Sequence, residues 1–446
     1  MGSEALLDDG MELHSAGFAS LWAKPMLNMN ETGMRHAIEQ KRDGVELSDR
    51  HWHDIVAGFM ASTIDEAQMA ALCMACLWRG LSFEEAFALT DAMVQSGETL
   101  HFDNGAVVDK HSSGGVGDIV SLLAVPLAAA CGARVAKLSG RALGHTGGTI
   151  DKLETIPGFN AGLSTSAFVA QVERVGCAIA TQTKTLVPAD KRIYTLRDRT
   201  GSVPCMGLMA ASIVSKKIAG GAHAFVFDVK TGRGAMLQEE SRAAELAGWL
   251  VEIARRFGRK AVAFVSNMDE PLGRNVGTGV EVIEARDFLR GKNQDARARE
   301  LVLRIVEEML ALAEIPGSRS HVEDVLASGA AYEKFVQMIE AQGGSRATFE
   351  ALQLDEQRAQ NVKAARAGFV HSVDVVRLGN LGRTLSTHNP LGGLSVNVHV
   401  GDHIERGAAL VKIYGSATPE GDLDSAFEIT QDKVEPAPLI YDIVRG

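Results

Sequence analysis

Asp109-Lys110-His111-Ser112-Ser113-Gly114-Gly115-Val116-Gly117-Asp118 opens the stretch on which the reading of this chain turns. Ser139-Gly140-Arg141-Ala142-Leu143-Gly144-His145-Thr146-Gly147-Gly148-Thr149-Ile150-Asp151-Lys152-Leu153-Glu154 closes it. Between them, Val120–Ala130 is apolar and alanine-rich, with the length of a buried helix. Two Gly-rich loops, each after an apolar segment, flank that run. Glycine lets backbone N–H groups converge on an anion with no Cβ in the way. A helix N-terminus behind such a loop adds a favourable dipole. Ser112, Ser121, Ser139 and Thr149 supply hydroxyl donors, and Lys110 supplies a full charge. This density of donors beside apolar strands suggests a phosphate pocket. The stretch has neither a G-x-x-x-x-G-K-[ST] loop nor a G-x-G-x-x-G dinucleotide fingerprint. One Gly-rich loop alone reads as tight turns. Two, with Lys, His, Ser and Thr interleaved, do not; at His145 turn geometry is the preferred reading.

Working outward, β-α alternation begins at Ala106. Strands are predicted at Ala106–Val108, Arg134–Leu138, Cys177–Thr181, Ala224–Val229 and Ala261–Val265. Helical stretches separate most of them, which predicts a mixed, largely parallel sheet. Ligands of such sheets sit at the carboxyl ends of strands. Lys110-His111, Ser139 and Lys230 each fall just after a predicted strand. Asp190–Ala219 interrupts the alternation with helical character. Amphipathic helices are predicted at Ser241–Gly258, from Gly277 to Leu289, and at Ala296–Ala313. Upstream, helical patterns cover Met34–Arg42, His51–Met60 with Ser48 as cap, and Asp65–Arg79. Ser82-Phe83-Glu84-Glu85 reads as a capping box for a helix ending near Ser96-Gly97. His51 and His53, two apart on a helix, read as surface residues. Residues Met1–Asn30 show no periodicity. Residues 1–33 read as an extension, either disordered or a product of start-site choice.

The chain has 446 residues, enough for two or three domains. A net charge of -11 speaks against partnership with nucleic acid or an anionic membrane. No apolar run is long enough for a membrane span, and no signal peptide is expected. Cys73, Cys76, Cys131, Cys177 and Cys205 form no framework and read as reduced, buried cytoplasmic thiols. Cys73 and Cys76 make a lone C-x-x-C inside a helical pattern, read as small hydrophobes.

Both Gly-rich loops resemble those of the pyrimidine-nucleoside phosphorylase and thymidine phosphorylase family. The resemblance resumes at Pro188-Ala189-Asp190-Lys191-Arg192-Ile193-Tyr194-Thr195-Leu196-Arg197-Asp198. It continues through Ala211-Ser212-Ile213-Val214-Ser215-Lys216-Lys217 and Asp228-Val229-Lys230-Thr231-Gly232-Arg233-Gly234-Ala235. It covers roughly Met34 to the C-terminus. It implies an α/β fold with a small helical domain (34–100 and 189–220) and a larger phosphate-binding α/β domain (105–188 and 221–367). A C-terminal α+β subdomain spans 368–446, with strand-like runs at Val396–Val400 and Leu410–Tyr414 and a turn at Gly401-Asp402. The chain departs from the family at Gly379-Asn380-Leu381-Gly382-Arg383, where a Gly-Ala-Gly-Arg-like turn is usual.

The resemblance implies reversible phosphorolysis of pyrimidine nucleosides, a pentosyl transfer needing inorganic phosphate and no cofactor for the chemistry. Lys110, Ser112, Ser121, Ser139 and Thr149 would hold phosphate. Arg197, Ser212 and Lys216 would hold the pyrimidine, with Arg197 and Lys216 donating to its carbonyl oxygens. Ser212 and Lys216, four apart, share one helix face. His111 would sit by O2 of the base as a donor or general acid. Lys137, two residues before Ser139 on a strand, shares its face and would lie near the sugar. Broad-specificity relatives carry lysine there and thymidine-specific ones an apolar residue, so uridine, thymidine and 2′-deoxyuridine are the expected substrates. The alternative is a thymidine phosphorylase restricted to 2′-deoxynucleosides. More distant rivals are an anthranilate-type phosphoribosyltransferase and a non-catalytic nucleoside-binding protein. A structural potassium ion is implied at Gly117, Ile119, Leu272, Asn275 and Glu284, and a homodimer through the helical domain.

Overall fold

Short polar residues at helix starts set the N-terminal domain. In the computed structural model, which describes residues 31–103, 105–141, 147–416 and 423–446, the first helix is α1 (Glu31–Arg42). It is followed by α2 (Asp49–Met60), α3 (Glu66–Arg79) and α4 (Phe83–Gln95). Ser48, Asp65 and Ser82 cap the last three, and His51, Gln68 and Glu85 reach back to the cap N–H groups. Each box satisfies two donors that a helix start leaves free. Glu31–Gly33 belong to α1 rather than to the expected extension. His51 and His53 are half-buried: His51 closes the α2 box, and His53 Nε2 lies 2.9 Å from Asp91. A buried Lys41–Glu85 pair at 2.5 Å ties α1 to α4. Residues 1–30 and the loop position His145 lie outside the described residues.

The chain then runs β1 (Val107–Ser112), α5 (Val120–Ala130), β2 (Arg134–Ser139), α6 (Thr149–Leu153), α7 (Thr165–Val175) and β3 (Cys177–Thr181). It continues through α8 (Pro188–Arg199), α9 (Met206–Ala219), β4 (Ala224–Thr231), α10 (Glu240–Arg256), β5 (Lys260–Asn267), β6 (Asn275–Gly277), α11 (Gly279–Leu289) and α12 (Ala296–Leu312). Next come α13 (Arg319–Ala327), α14 (Ala330–Ala341), α15 (Arg346–Glu350), β7 (Gln360–Lys363), β8 (Gly368–Val373) and α16 (Val375–His388). Strands β9 (Gly393–Val396), β10 (His403–Ile404), β11 (Ala409–Tyr414), β12 (Phe427–Thr430) and β13 (Ile440–Arg445) complete it.

The main sheet has the order β13-β5-β4-β1-β2-β3, parallel except for β13. The expected buried helix is α5, whose residues Val120–Ala129 are all buried. The helical stretch Asp190–Ala219 is two helices, broken around Gly201 (φ 66°) and Pro204. The first packs against α2, α3 and α4, and the second against α4.

Strand β1 outruns its expected end at Val108. Strand β4 pairs with it as far as Ser112↔Asp228. Lys110, His111, Ser139 and Lys230 therefore sit in the last residues of strands, not after them. The β1–β2 pairing stops at Val108↔Val135, and the two strands splay beyond it. Side chains take up the carbonyls that the ladder leaves. Lys137 Nζ donates to Lys110 O at 2.6 Å, and Lys217 Nζ donates to Leu138 O at 2.9 Å.

Two smaller sheets, β10-β8-β12 and β6-β9-β11-β7, build the C-terminal part. The expected strand Val396–Val400 ends where it was to begin: β9 is Gly393–Val396. A Cβ on Gly393 would lie 2.7 Å from Val276 O, so only glycine permits this approach of β9 to β6. Residues 379–383 form no turn but the middle of α16. There Gly382 backs onto β6, with Val276 O 2.7 Å from where its Cβ would be.

Candidate active site

Strand alternation divides the candidate residues between two faces of the sheet. Val108, Val135, Val226 and Phe264 belong to the core beneath one face. Lys110, Ser112, Lys137, Ser139, Asp228 and Lys230 share their parity. Val107, Leu138 and Phe227 belong to the core shared with the helical domain. Asp109 and His111 share that parity, and the His111 ring meets Phe227 edge-on at 6.3 Å.

On the first face, Asp118 is the hub. Its carboxylate accepts the Ser112 hydroxyl at 2.7 Å and the Val120 N–H at 3.0 Å. Its backbone oxygen accepts Lys152 Nζ at 2.8 Å. Burial would raise its pKa, but Lys230, Lys110, Lys152 and the Ser112 hydrogen bond hold it below the ordinary carboxylate range. Lys110 Nζ and Lys230 Nζ lie 3.2 and 2.8 Å from the same Asp228 oxygen. None of the three groups is exposed, so two buried ammonium groups share one buried carboxylate oxygen. Ser121 is buried in the first turn of α5 directly after this hub. Ser139 ends β2 and Thr149 begins α6. Among the described residues no hydrogen bond joins Ser139 or Thr149 directly to Lys110 or Ser112.

Lys137 is buried and points inward. Burial, then the charge of Lys217, lowers its pKa to about 7. Lys217, from α9, donates to Asp109 at 2.7 Å and so bolts the helical domain to β1.

On the helical side, Lys216 Nζ donates to Ser212 Oγ at 2.8 Å and to Asp190 at 2.6 Å. Arg197 is buried beneath α9, not a surface charge. Its guanidinium donates to Ser202 O, Leu208 O and Val203 O at 3.4, 3.0 and 2.5 Å. Burial lowers its pKa, opposed by Cys73, Cys205 and Asp190. The structure thus joins Ser212 to Lys216 directly, and Arg197 to them through α9 and through the charge of Asp190. All five cysteines are buried and unpaired, and burial pushes the Cys73 thiol up to about 12.

Among the expected cation ligands, Gly117 and Asn275 come together: a Cβ on Gly117 would lie 3.0 Å from Asn275 O. Both Glu284 oxygens accept backbone N–H groups, of Arg274 and Asn275. Burial still raises its pKa to about 8, and among the described residues no cationic side chain pairs with it.

A cavity of about 500 Å³ opens to one side, lined by Gly117, Arg141, Gly147, Glu281, Arg383 and Thr387 among others. Neither Lys110 nor Lys216 lines it.

Sequence reading placed Lys230 at a strand end but gave it no role, and it missed Asp118, Asp190 and Asp228. The available signal was charge inside apolar segments, as in Phe225-Val226-Phe227-Asp228-Val229-Lys230.

Residues 35–97 match the helical bundle domain of a glycosyl transferase family, and residues 104–332 match its a/b domain. The chain thus carries both domains of this glycosyl transferase family, the helical bundle and the sheet described above. The chain is 39% identical to pyrimidine-nucleoside phosphorylase of Geobacillus stearothermophilus, over 91% of this chain and 98% of that protein. It is 41% identical to that of Bacillus subtilis (strain 168), over 85% and 91%. This chain belongs to the pyrimidine-nucleoside phosphorylase family and is a pentosyltransferase acting in nucleoside phosphorolysis. Its fold also matches anthranilate phosphoribosyltransferase from Thermus thermophilus, with a TM-score of 0.54, 20% identity, and coverage of 71% of this chain and 99% of that one. No helix among the described residues is long and apolar enough to cross a membrane.

Proposed function

We propose that the enzyme phosphorolyses uridine, thymidine and 2′-deoxyuridine reversibly, giving the free base and ribose or 2-deoxyribose 1-phosphate. Phosphate would lie at Lys110, Ser112, Ser121, Ser139 and Thr149, and the pyrimidine at Arg197, Ser212 and Lys216. The phosphate dianion below C1′ stabilises the oxocarbenium-like sugar, and the cations beside the base stabilise the charge it gains on leaving.

The observation that carries the inclusion of uridine is Lys137. It is buried, points into the protein beside Lys110, and shares a strand face with Ser139. An ammonium there can donate to a 2′-hydroxyl, which an apolar residue would leave unpaired at a cost of about 1–3 kcal/mol. Initial rates from the ultraviolet change of uridine and 2′-deoxyuridine with phosphate test this. Lys137→Met should lower kcat/KM for uridine roughly 5–150-fold more than for 2′-deoxyuridine. An unchanged ratio, or a wild type inert toward uridine, would move the assignment to an enzyme restricted to 2′-deoxynucleosides.

The same reading includes a structural potassium or similar ion at Gly117, Ile119, Leu272, Asn275 and Glu284. The carbonyl-rich set suits a hard cation, and the buried Glu284 carboxyl, without a cationic side chain, would gain its counter-charge. It also includes a cytoplasmic homodimer joined through the helical domain. Trp78 on α3, 79% exposed, is apolar surface that such an interface would cover, and the free thiols suit a reducing compartment.

A further inference from the structure

Lys216 carries three N–H donors, and the fold has already assigned two of them. One goes to Asp190 at 2.6 Å and one to Ser212 at 2.8 Å. The Asp190 side chain is 4% exposed and that of Lys216 27%, so the carboxylate lies behind the ammonium, away from the opening. The third donor is left for whatever enters from the exposed side. Ser212, by accepting from Lys216, keeps its own hydroxyl proton to give.

The position of Asp190 is itself fixed from several directions. It is the third residue of α8, after Pro188, and its N–H donates to Val187 O at 3.1 Å. Val187 holds φ 44°, a conformation that a β-branched residue adopts only where its surroundings enforce it. Lys216 comes from α9, so the pair fixes two helices to each other at the base site. The same carboxylate also acts on Arg197, the other cation assigned to the base.

We propose that Asp190 is a positioning residue for base recognition: its buried carboxylate holds the Lys216 ammonium in one orientation, so that a single N–H addresses the pyrimidine. The inference rests on the assignment of Lys216 to the base. A long, flexible lysine would otherwise lose rotamer freedom each time a nucleoside bound. With Asp190 and Ser212 in place that ordering is complete beforehand.

A double-mutant cycle tests this on the full-length enzyme, reading kcat/KM for nucleoside and KM for phosphate separately. Asp190→Asn keeps the shape and removes the charge. It should lower nucleoside kcat/KM about 10-fold and leave the phosphate KM within roughly twofold, since only the charge-assisted contact changes. In a Lys216→Ala background the same substitution should cost almost nothing further, because Asp190 acts through Lys216. Equal losses in both backgrounds would make Asp190 a structural residue of α8 and overturn the proposal. If Lys216→Ala alone leaves nucleoside kcat/KM unchanged, the base-site assignment fails, a distinguishable outcome. Asp190→Glu, which keeps the charge but displaces the ammonium, gives the same reading where Asp190→Asn does not fold. Wild-type kcat/KM in Asp190→Glu would overturn the positioning role.

Discussion

His111 stands where burial and positive charge act in the same direction. Burial pushes its pKa well below the ordinary imidazole value, and Lys217, Lys137, Lys216 and Lys110 push it further. At neutral pH the free enzyme therefore presents a neutral ring, with one N–H to donate and one nitrogen able to accept. Such a ring stabilises a departing base by hydrogen bonding more readily than by proton transfer, since it has no extra proton to give. A phosphate dianion at Lys110 would offset part of the lysine field and raise the His111 pKa. His111→Ala should lower kcat by roughly 10-fold or more, and His111→Asn, which keeps an N–H, should recover most of it. A general acid would instead lose about 10²–10⁴-fold in both variants, and that result would replace the donor role. An NMR titration of labelled histidine should find His111 neutral at pH 7 without phosphate; an imidazolium there would contradict the field described.

At the scale of elements, His399 joins three of them. It leaves β9 in the loop toward β10, with Nδ1 3.0 Å from Glu270 and Nε2 2.7 Å from Asp295, the N-cap of α12. Burial lowers its pKa, but the two carboxylates more than offset this and raise it to about 9. A histidine pKa raised on folding contributes stability that is complete below the unfolded value of about 6.5 and is lost as pH rises through about 9. The contribution is on the order of 3 kcal/mol at most. Urea midpoints of His399→Asn should fall below wild type at pH 6 and converge toward it near pH 10. An equal deficit at both values would reduce His399 to packing.

Elements of this kind were legible in the sequence only where the decision was local. The Ser82–Glu85 box needs four neighbouring residues, and it formed as read. The end of β1 depends on β4, more than a hundred residues away, which extends the strand through the candidate site. Gly379-Asn380-Leu381-Gly382-Arg383 has turn composition, yet Gly382 serves the close approach of α16 to β6. In the candidate site, the contact of Ser212 with Lys216 was legible from their four-residue spacing. Asp190 was not, because an acidic residue in a first helical turn already has a reason to be there in the helix dipole.

For the whole molecule, the proposed ligands divide between two bodies joined by three adjoining crossings. Lys110, Ser112, Ser121, Ser139 and Thr149 belong to the α/β part, and Arg197, Ser212 and Lys216 to the helical part. The crossings run near residues 96–106, 182–188 and 219–223, and they are laced together. Glu98 N donates to Thr185 O at 2.9 Å and Leu100 N to Ala219 O at 2.8 Å. Gly97 and Gly221 allow this lacing, since their Cβ atoms would meet Thr185 O at 2.1 Å and Leu100 O at 2.3 Å. Lys217 adds its bridge to Asp109 beside the same crossings. The two bodies also share one hydrophobic core, and α10 packs on α9, so rotation of one toward the other is a small sliding of packed surfaces that pivots about these crossings. Phosphorolysis needs the phosphate, C1′ and base contacts within reach of one substrate, so closure about this pivot should accompany binding of both ligands. Solution scattering with phosphate and an unreactive nucleoside analogue together should show a smaller radius of gyration than with either alone. Gly221→Ala, which strains the pivot at φ 77° without touching either ligand set, should lower kcat and reduce that compaction. Full compaction with unimpaired kcat in Gly221→Ala would remove the pivot from these crossings, and no compaction in wild type would mean that the two sets already stand at working distance.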